Sequence, residues 1–466
     1  MVLVKSLSGI RGTLGGKVGN GFTPIDIIKF LAGYVTWIKK KYKNKHKYLI
    51  IFGRDGRITS TLFQKFLIIT FQNFGINVID IGLSTTPTVG FAIINEKADG
   101  GIMLTASHNK KNWNGLKLFN SMGEFLSKKD FQWFYSIVKK KKLNFVSFKK
   151  LGNYLYKKNY IHKHIKTILS LPLVDQKMIQ KAKFKIVVDG INSTGGIAVP
   201  LLLKFLGVKV IKMYCTPHGN FSHHPEPIKK NLNKICKKVP KIKADLGISV
   251  DPDVDRVVFI CENGDFFGEE YTLISISDYI LKNKLGPIVS TLSSSQALYD
   301  LSIKNGVPYY ATPVGEVHVV EKMKEVKAVI GGEGNGGIIY PNFRYGRDGL
   351  VGIALFLSYI SKLTQKSLIK LKKRYPNYFM LKKKIRLSFY QKKQQILNFF
   401  KKKYKEKKMN FQDGIKISFL KNEWVHIRQS NTENIIRIHI ESTSKKRVNF
   451  LYKKIFNEIK NSNNFK

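Results

Sequence analysis

Asp251, Asp253 and Asp255 fall within six residues, DPDVDR, of a chain that otherwise has 81 Lys plus Arg against 31 Asp plus Glu. Alternate residues of an extended segment project to one side, so the stretch predicts three carboxylates facing one point, with Pro252 keeping it out of a helix. Anions so placed repel unless a cation sits among them. Oxygen donors suit a hard ion such as Mg²⁺, which leaves coordination positions open for water or phosphate oxygens. The apolar flanks LGISV and VVFI set the loop at the mouth of a buried strand pair, which argues against a merely solvated acidic turn.

A second stretch, TASHNKKNWNGLKLF, offers a group for such an ion to act on. Ser107 follows GIMLT in a tight polar loop and precedes His108 and Asn109. A serine needs a base or an electrophile to become a useful nucleophile, and no Ser-His-Asp spacing can be assigned from the chain. Phosphorylated, the same serine carries about two negative charges and three acceptor oxygens, one of which could complete the coordination of the ion. A third stretch, Arg428 to Asn434 with Arg437 just beyond, combines a guanidinium fork, hydroxyls and backbone N–H groups suited to a phosphate. Taken alone, it reads more readily as a polar hairpin turn, and its case as a phosphate loop rests on the other loops beside it.

The elements that carry these loops recur. KYLIIFGRDGR, FKIVVDGINSTGG and GPIVSTLSSSQAL each run from a short apolar strand through a Gly/Asp/Ser loop into a helix-like segment. Each is followed by a second apolar run, INVIDIGLSTTP, VKVIKMYCTP or VPYYATPVG. A third strand then enters a polar loop and leaves as another apolar run: GIMLTASHNKKNWNGLKLF, LGISVDPDVDRVVFI and AVIGGEGNGGIIY. The order predicts three consecutive α/β domains of similar layout, with TASHN, DPDVDR and GEGNGG in the same slot of each. Ligands of open α/β sheets collect outside strand ends, so the three loops are expected to converge on a central cleft. Beyond about residue 372, LKKKIRLSFYQKKQQILNFFKKKYKEKK reads as helix-like and leads into short alternating strands, the pattern of a smaller C-terminal α+β domain. The expected domains are 1–150, 151–262, 263–371 and 372–466, and 466 residues with 43% hydrophobic content suffice for several cores.

Other classes are set aside on composition. No run supplies the roughly 18 apolar residues of a membrane span, and MVLVKSLSGIRG lacks a signal peptide's apolar region, so a cytoplasmic protein is expected. Cys215, Cys236 and Cys261 are too few and too scattered for a disulfide framework or a zinc site. A formal net charge of +50 could mark a nucleic-acid-binding protein, whose affinity would fall steeply with salt. The Lys residues are spread along the chain without a recognisable nucleic-acid module, however. Lys, Ile, Asn, Phe and Tyr are all plentiful, as A/T-rich codons would produce. Solvated faces account for the Lys runs.

SGIRG, TASHN with NGLK, DPDVDR, GEGNGG and RQSNTENIIR, in that order across nearly the whole chain, resemble the α-D-phosphohexomutase superfamily of phosphoglucomutases, phosphomannomutases and phosphoglucosamine mutases. The resemblance implies four domains around a cleft. It also implies a phosphoserine enzyme that moves a phosphoryl group between the 1- and 6-positions of a hexose through a bound hexose 1,6-bisphosphate. By the same resemblance Ser107 is the phosphoserine, and Asp251, Asp253 and Asp255 hold Mg²⁺ together with the serine phosphate. Arg11 and Arg256 lie near the migrating group, while His108 and Lys117 are candidates for proton transfer or phosphate orientation. Glu333 and Asn335 touch sugar hydroxyls; Arg428, Ser430, Asn431, Thr432 and Arg437 hold the non-reacting phosphate. The C-terminal domain is expected to close over the ligand as a hinged lid.

Departures from the family pattern concern stiffness more than charge. Lys110 replaces a common proline, and Gln429, Asn431 and Asn434 stand where RPSGTEP is frequent. Asn335 and Gly337 replace a common serine and histidine, so the sugar loop does not diagnose one sugar. SNTE and GGEGNGG resemble the branch with archaeal-type glucosamine and mannose/glucose phosphate mutases. Glucosamine phosphate is the first choice, because an A/T-drifted bacterial genome that makes cell wall has reason to keep that enzyme; mannose or glucose phosphate is the alternative. A monomer or homodimer is expected, with a hexose phosphate as its partner. A degenerate sugar-phosphate binder without turnover fits less well, since serine and metal loop are both intact.

Overall fold

The computed structural model describes residues 1–43, 45, 47–140, 143–387, 393–429 and 435–461. Its first sheet has β1 (Leu3–Ser6), β2 (Gly9–Thr13), β3 (Tyr48–Arg54), β4 (Ile76–Leu83), β5 (Gly100–Leu104), β6 (Trp113–Phe119) and β7 (Tyr154–Tyr156), in spatial order β1-β2-β6-β5-β3-β4-β7. The second has β8 (Lys185–Asp189), β9 (Lys209–Met213), β10 (Leu246–Val250) and β11 (Val257–Ile260), ordered β11-β10-β8-β9. The third has β12 (Ile288–Thr291), β13 (Tyr309–Thr312), β14 (Ile330–Glu333) and β15 (Gly337–Ile339), ordered β13-β12-β14-β15.

These sheets share one wiring. In each, two parallel strands lie beside a third parallel strand that turns back through an antiparallel hairpin: β5–β6, β10–β11 and β14–β15. TASHN, DPDVDR and GEGNGG occupy those hairpin connections, as the repeated layout predicts. Every residue of β5, β10, β11, β14 and β15 is buried, which explains their unbroken apolar or glycine-rich sequence.

The second and third domains share one hydrophobic core. At its centre lies the helix Gly349–Ser361, GLVGIALFLSYIS, buried at all thirteen positions, so an apolar sequence around its whole circumference is what its position requires. Asp348 caps it, its Oδ1 accepting from Leu350 N (2.9 Å) and Val351 N (3.1 Å). The other carboxylate oxygen lies 3.0 Å from Nε2 of the buried His164, whose Nδ1 lies 2.8 Å from Thr88 Oγ1. One cap thus ties the shared core to the first domain. Among the described residues no helix is long and apolar enough to cross a membrane.

The fourth sheet is antiparallel: β16 (Phe379–Arg386), β17 (Met409–Asn410), β18 (Ile415–Leu420), β19 (Glu423–Gln429) and β20 (Ile435–Ser442), ordered β16-β20-β19-β18-β17. It has a separate core under the helices Lys393–Lys403 and Lys445–Asn461. Here one expectation is corrected: FMLKKKIR is a strand, not part of a Lys-rich helix. Lysines at 382, 383 and 384 occupy both faces, so the strand's alternation is masked in the sequence, and pairing with β20 decides the conformation.

Candidate active site

Ser107 is buried in the β5–β6 connection with a left-handed backbone, φ 48°. Its Oγ donates to Asp251 Oδ2 at 2.8 Å and lies 3.3 Å from His108 Nδ1. The loop is held from below by Arg57, a fully buried residue of the β3 loop GRDGR. Its guanidinium donates to four backbone carbonyls, those of Ser107 (2.5 Å), Asn109 (2.8 Å), Lys110 (2.8 Å) and Trp113 (3.0 Å), and to Asp55 Oδ2 at 3.1 Å. Asp55 also accepts from Thr105 Oγ1 at 2.7 Å, beside the serine. A planar fork with five donors is suited to this; an ammonium is not.

The DPDVDR loop is locked to the first domain. Ser193 Oγ accepts from Gly56 N at 3.0 Å and donates to Pro252 O at 2.7 Å, while Thr86 N donates to Asp253 O at 2.9 Å. Thr86 Oγ1 also bonds Asp253 Oδ2. The three aspartates are wholly buried and each offers an oxygen within 4.8 Å of the others. They converge by a different route from the extended alternation expected: residues 252–255 form a turn, and Val254 adopts φ 59°. A β-branched residue in that region is strained, and burial of Val254 in the shared core holds it there.

Lys117 from β6 reaches into this cluster, with Nζ 2.6 Å from Asp253 Oδ2 and 2.6 Å from Asp255 Oδ2. Asp253 and Asp255 more than offset the effect of burial, so the ammonium is held more firmly protonated than an ordinary lysine. Arg256 N donates to Asp251 Oδ1 at 3.3 Å, its Nε lies 3.7 Å from Asp255 Oδ1, and Arg11 reaches Ser8 Oγ at 3.3 Å. Among the described residues the buried Nε atoms of Arg11 and Arg256 have no hydrogen-bond partner, nor do Oδ1 of Asp253 and Asp255. Burial, followed by the charges of Arg256 and Arg11, pushes His108 well below the usual imidazole range, so it is neutral.

Arg347 is the second residue that sequence reasoning missed. Its buried guanidinium joins Asp255 Oδ2 (2.7 Å), Glu316 Oε2 (2.8 Å) and Glu333 Oε2 (2.6 Å), so one side chain spans the metal loop and the sugar loop. Burial opposes ionisation of Asp255, but Arg347, Lys117 and Arg256 hold it well below the carboxylate range. Asp251 is pushed well above that range by burial and then by Asp255 and Asp253. Five carboxylates, at 251, 253, 255, 316 and 333, therefore face three ion-paired cations, at 117, 256 and 347. The unpartnered oxygens and the all-oxygen donor set fit a hard divalent ion.

Glu333 is at the end of β14, and Asn335 accepts from Gly337 N through Oδ1 at 3.1 Å while its Nδ2 lies 3.5 Å from Glu333 Oε2. The GEGNGG loop abuts the DPDVDR loop, since Val257 N donates to Gly336 O at 3.0 Å. Gly336 has φ 85°, and a Cβ there would lie 2.4 Å from Val257 O, which only glycine avoids. In the fourth domain, Arg428 pairs across the strands with Arg437 and donates to Asp413 Oδ2 at 2.8 Å. The expected phosphate contacts Ser430, Asn431 and Thr432 lie outside the described residues. The structure thus brings Ser107, His108, Lys117, Arg256, Asp251, Asp253, Asp255 and Glu333 into one connected network, with Arg428 and Arg437 on a neighbouring face.

Comparison with known proteins identifies the family. Residues 5–145, 159–264 and 268–378 match alpha/beta/alpha domains I, II and III of phosphoglucomutase/phosphomannomutase, and 385–458 match its C-terminal domain. The phosphoglucomutase/phosphomannomutase of Thermococcus kodakarensis is 32% identical over 94% of each chain. A Methanosphaera stadtmanae protein named “Probable phosphoglucosamine mutase” is 31% identical over 98% of this chain and 100% of its own. The crystal structure of a phosphoglucomutase/phosphomannomutase family protein from Burkholderia thailandensis shares the fold with a TM-score of 0.80 at 20% identity, over 98% of both chains. The chain belongs to the phosphoglucomutase/phosphomannomutase family of phosphohexomutases.

Proposed function

We propose that this phosphohexomutase interconverts hexose 6-phosphate and hexose 1-phosphate through phosphorylated Ser107 and a hexose 1,6-bisphosphate, with glucosamine phosphate as its principal substrate. The observation that carries the reading is the 2.8 Å contact from the Ser107 hydroxyl to Asp251 inside a buried carboxylate trio. No other described serine joins such a group.

In this reading the phosphoryl group leaves Ser107 Oγ for a sugar hydroxyl, and the bond from phosphorus to Oγ breaks as the bond to the sugar oxygen forms. Neutral His108, beside Oγ, takes the hydroxyl's proton and returns it to the departing Oγ of Ser107, while Lys117, kept charged by its aspartates, stabilises negative charge. Mg²⁺ held by Asp251, Asp253, Asp255 and the Ser107 phosphate would neutralise charge on the migrating group. Arg11 and Arg256, with buried nitrogens unsatisfied, are aimed to bind phosphoryl oxygens. Glu333 and Asn335 face sugar hydroxyls, and Arg428, Ser430, Asn431, Thr432 and Arg437 hold the other phosphate. Turning the bisphosphate end for end lets one serine serve both carbons.

The name of the Methanosphaera relative supports glucosamine phosphate, and that of the Thermococcus relative supports glucose or mannose phosphate. Turnover of glucosamine, glucose and mannose 6-phosphates, primed with the matching bisphosphates, distinguishes them. The highest kcat/KM is expected on the glucosamine compound. A preference for mannose or glucose overturns the substrate choice, and no turnover of any of the three overturns the reaction.

A further inference from the structure

The face of the fourth sheet turned towards the rest of the molecule is built in cross-strand rows. One row, Lys382, His439, His426 and Lys416, is seated on the third domain. Lys382 Nζ donates to Glu270 Oε1 at 2.7 Å and to the carbonyl of Gly334, within the sugar loop, at 2.9 Å. Lys416 Nζ donates to Leu292 O at 2.8 Å, and His426 Nδ1 lies 2.8 Å from Ser293 Oγ. This seating fixes β16 against the third domain, and it fixes the next residue on the same face, Lys384, as well.

Lys384 heads the adjacent row. Register places it opposite Arg437, and Arg437 opposite Arg428, so three cations from three neighbouring strands stand side by side. Like charges directly opposite one another destabilise a strand pair. Asp413 accepts from Arg428 Nη1 at 2.8 Å, and the buried Nε of Arg428 has no hydrogen-bond partner among the described residues. Lys384 is exposed and has no hydrogen-bond or ion-pair partner among the described residues. Lys384 therefore stands exposed at the head of a row that it shares with the two arginines, on the edge anchored by Lys382, and is placed to bind an anion beside them.

We propose that Lys384 contacts the substrate's non-reacting phosphate alongside Arg428 and Arg437, a role that rests on the mutase reading above. Lys382 acts as its positioning residue. Lys383 is a built-in control: it lies on the opposite face of β16 with its ammonium 5.9 Å from the centre of the Tyr452 ring, and it carries the same charge.

Steady-state kinetics of the full chain on glucosamine, glucose and mannose 6-phosphates test this with Lys384→Ala, Lys384→Arg and Lys383→Ala. Lys384→Ala is expected to raise KM about tenfold, ~1.4 kcal/mol, with kcat within about twofold. Lys384→Arg restores KM to within about threefold, because a guanidinium also binds phosphate, and Lys383→Ala leaves KM within about twofold. Equal KM shifts for the two alanine variants would mean that only the general field matters, and no shift in either would mean no contact; each overturns the assignment. Both lysines are exposed, so folding is not at risk, and a direct titration of the variants with the 6-phosphates must reproduce the KM order. Normal wild-type turnover with an unaltered Lys384→Ala variant removes Lys384 alone, whereas a wild-type protein that neither binds nor turns over hexose phosphate removes the mutase reading and this proposal with it.

Discussion

Replacing Arg347 by Met keeps an unbranched apolar stem but removes the guanidinium that joins Asp255, Glu316 and Glu333. Lys117 remains on Asp255, whereas Glu316 and Glu333 lose their only ion-pair partner among the described residues, and both are nearly fully buried. Removing one partner of a buried pair costs about 3–5 kcal/mol, because the remaining charge is left uncompensated. Spread over the fused second and third domains, that corresponds to a fall of roughly 10 °C in the unfolding midpoint. Glu333 and Asp255 also lose a shared brace, and displacement of reacting groups by an ångström is enough for a loss of about 10²-fold in kcat/KM. Differential scanning calorimetry and steady-state kinetics on Arg347→Met and Arg347→Lys read both effects. The lysine variant is expected to fall between, since one ammonium cannot span three carboxylates. A methionine variant with a midpoint within about 2 °C of the parent and kcat/KM within about threefold would refute the bracing role.

Arg57→Lys should leave several carbonyls of the serine loop without donors, lowering kcat about 10²-fold with little change in KM, as measured by saturation kinetics. Docking of the fourth domain should weaken in acid. His426 is held down to about 4, by burial above all, with Nδ1 taking the Ser293 hydroxyl and Nε2 donating to Asp413 O at 2.6 Å. A base whose folded pKa lies below its unfolded value binds its proton more readily when released, so the contribution is intact above about pH 6.5 and is lost as pH falls towards about 4. Limited proteolysis across that range should show the fourth domain becoming cleavable, and His426→Gln should flatten the profile; an unchanged profile in the variant counts against it.

Much of the fold is legible in the sequence because each domain repeats one order of elements, and apolar runs of strand length alternate with Gly/Asp/Ser loops. The metal and serine loops stand out for a related reason: three aspartates in six residues, or a polar loop between two buried strands, break a local pattern visibly. Arg57 and Arg347 break none. Each is a single arginine whose partners come from distant segments, so only the folded chain shows that one holds four carbonyls and the other three carboxylates. A signal existed for both, since GRDGR closes the apolar strand β3 and GRDG precedes the apolar central helix, positions where ligand loops gather. The left-handed Val254 was not legible, because its strain is sustained by the shared core and not by its neighbours in sequence. Strand β16 was hidden by lysines on both of its faces.

The central claim is that Ser107 carries the migrating group beside the aspartate trio. Incubating the protein with hexose 1,6-bisphosphate labelled in its phosphate, followed by peptide mapping, tests it most directly. Label on Ser107, absent from Ser107→Ala, is the expected result. Turnover without label on Ser107, or label confined to another residue, would contradict it.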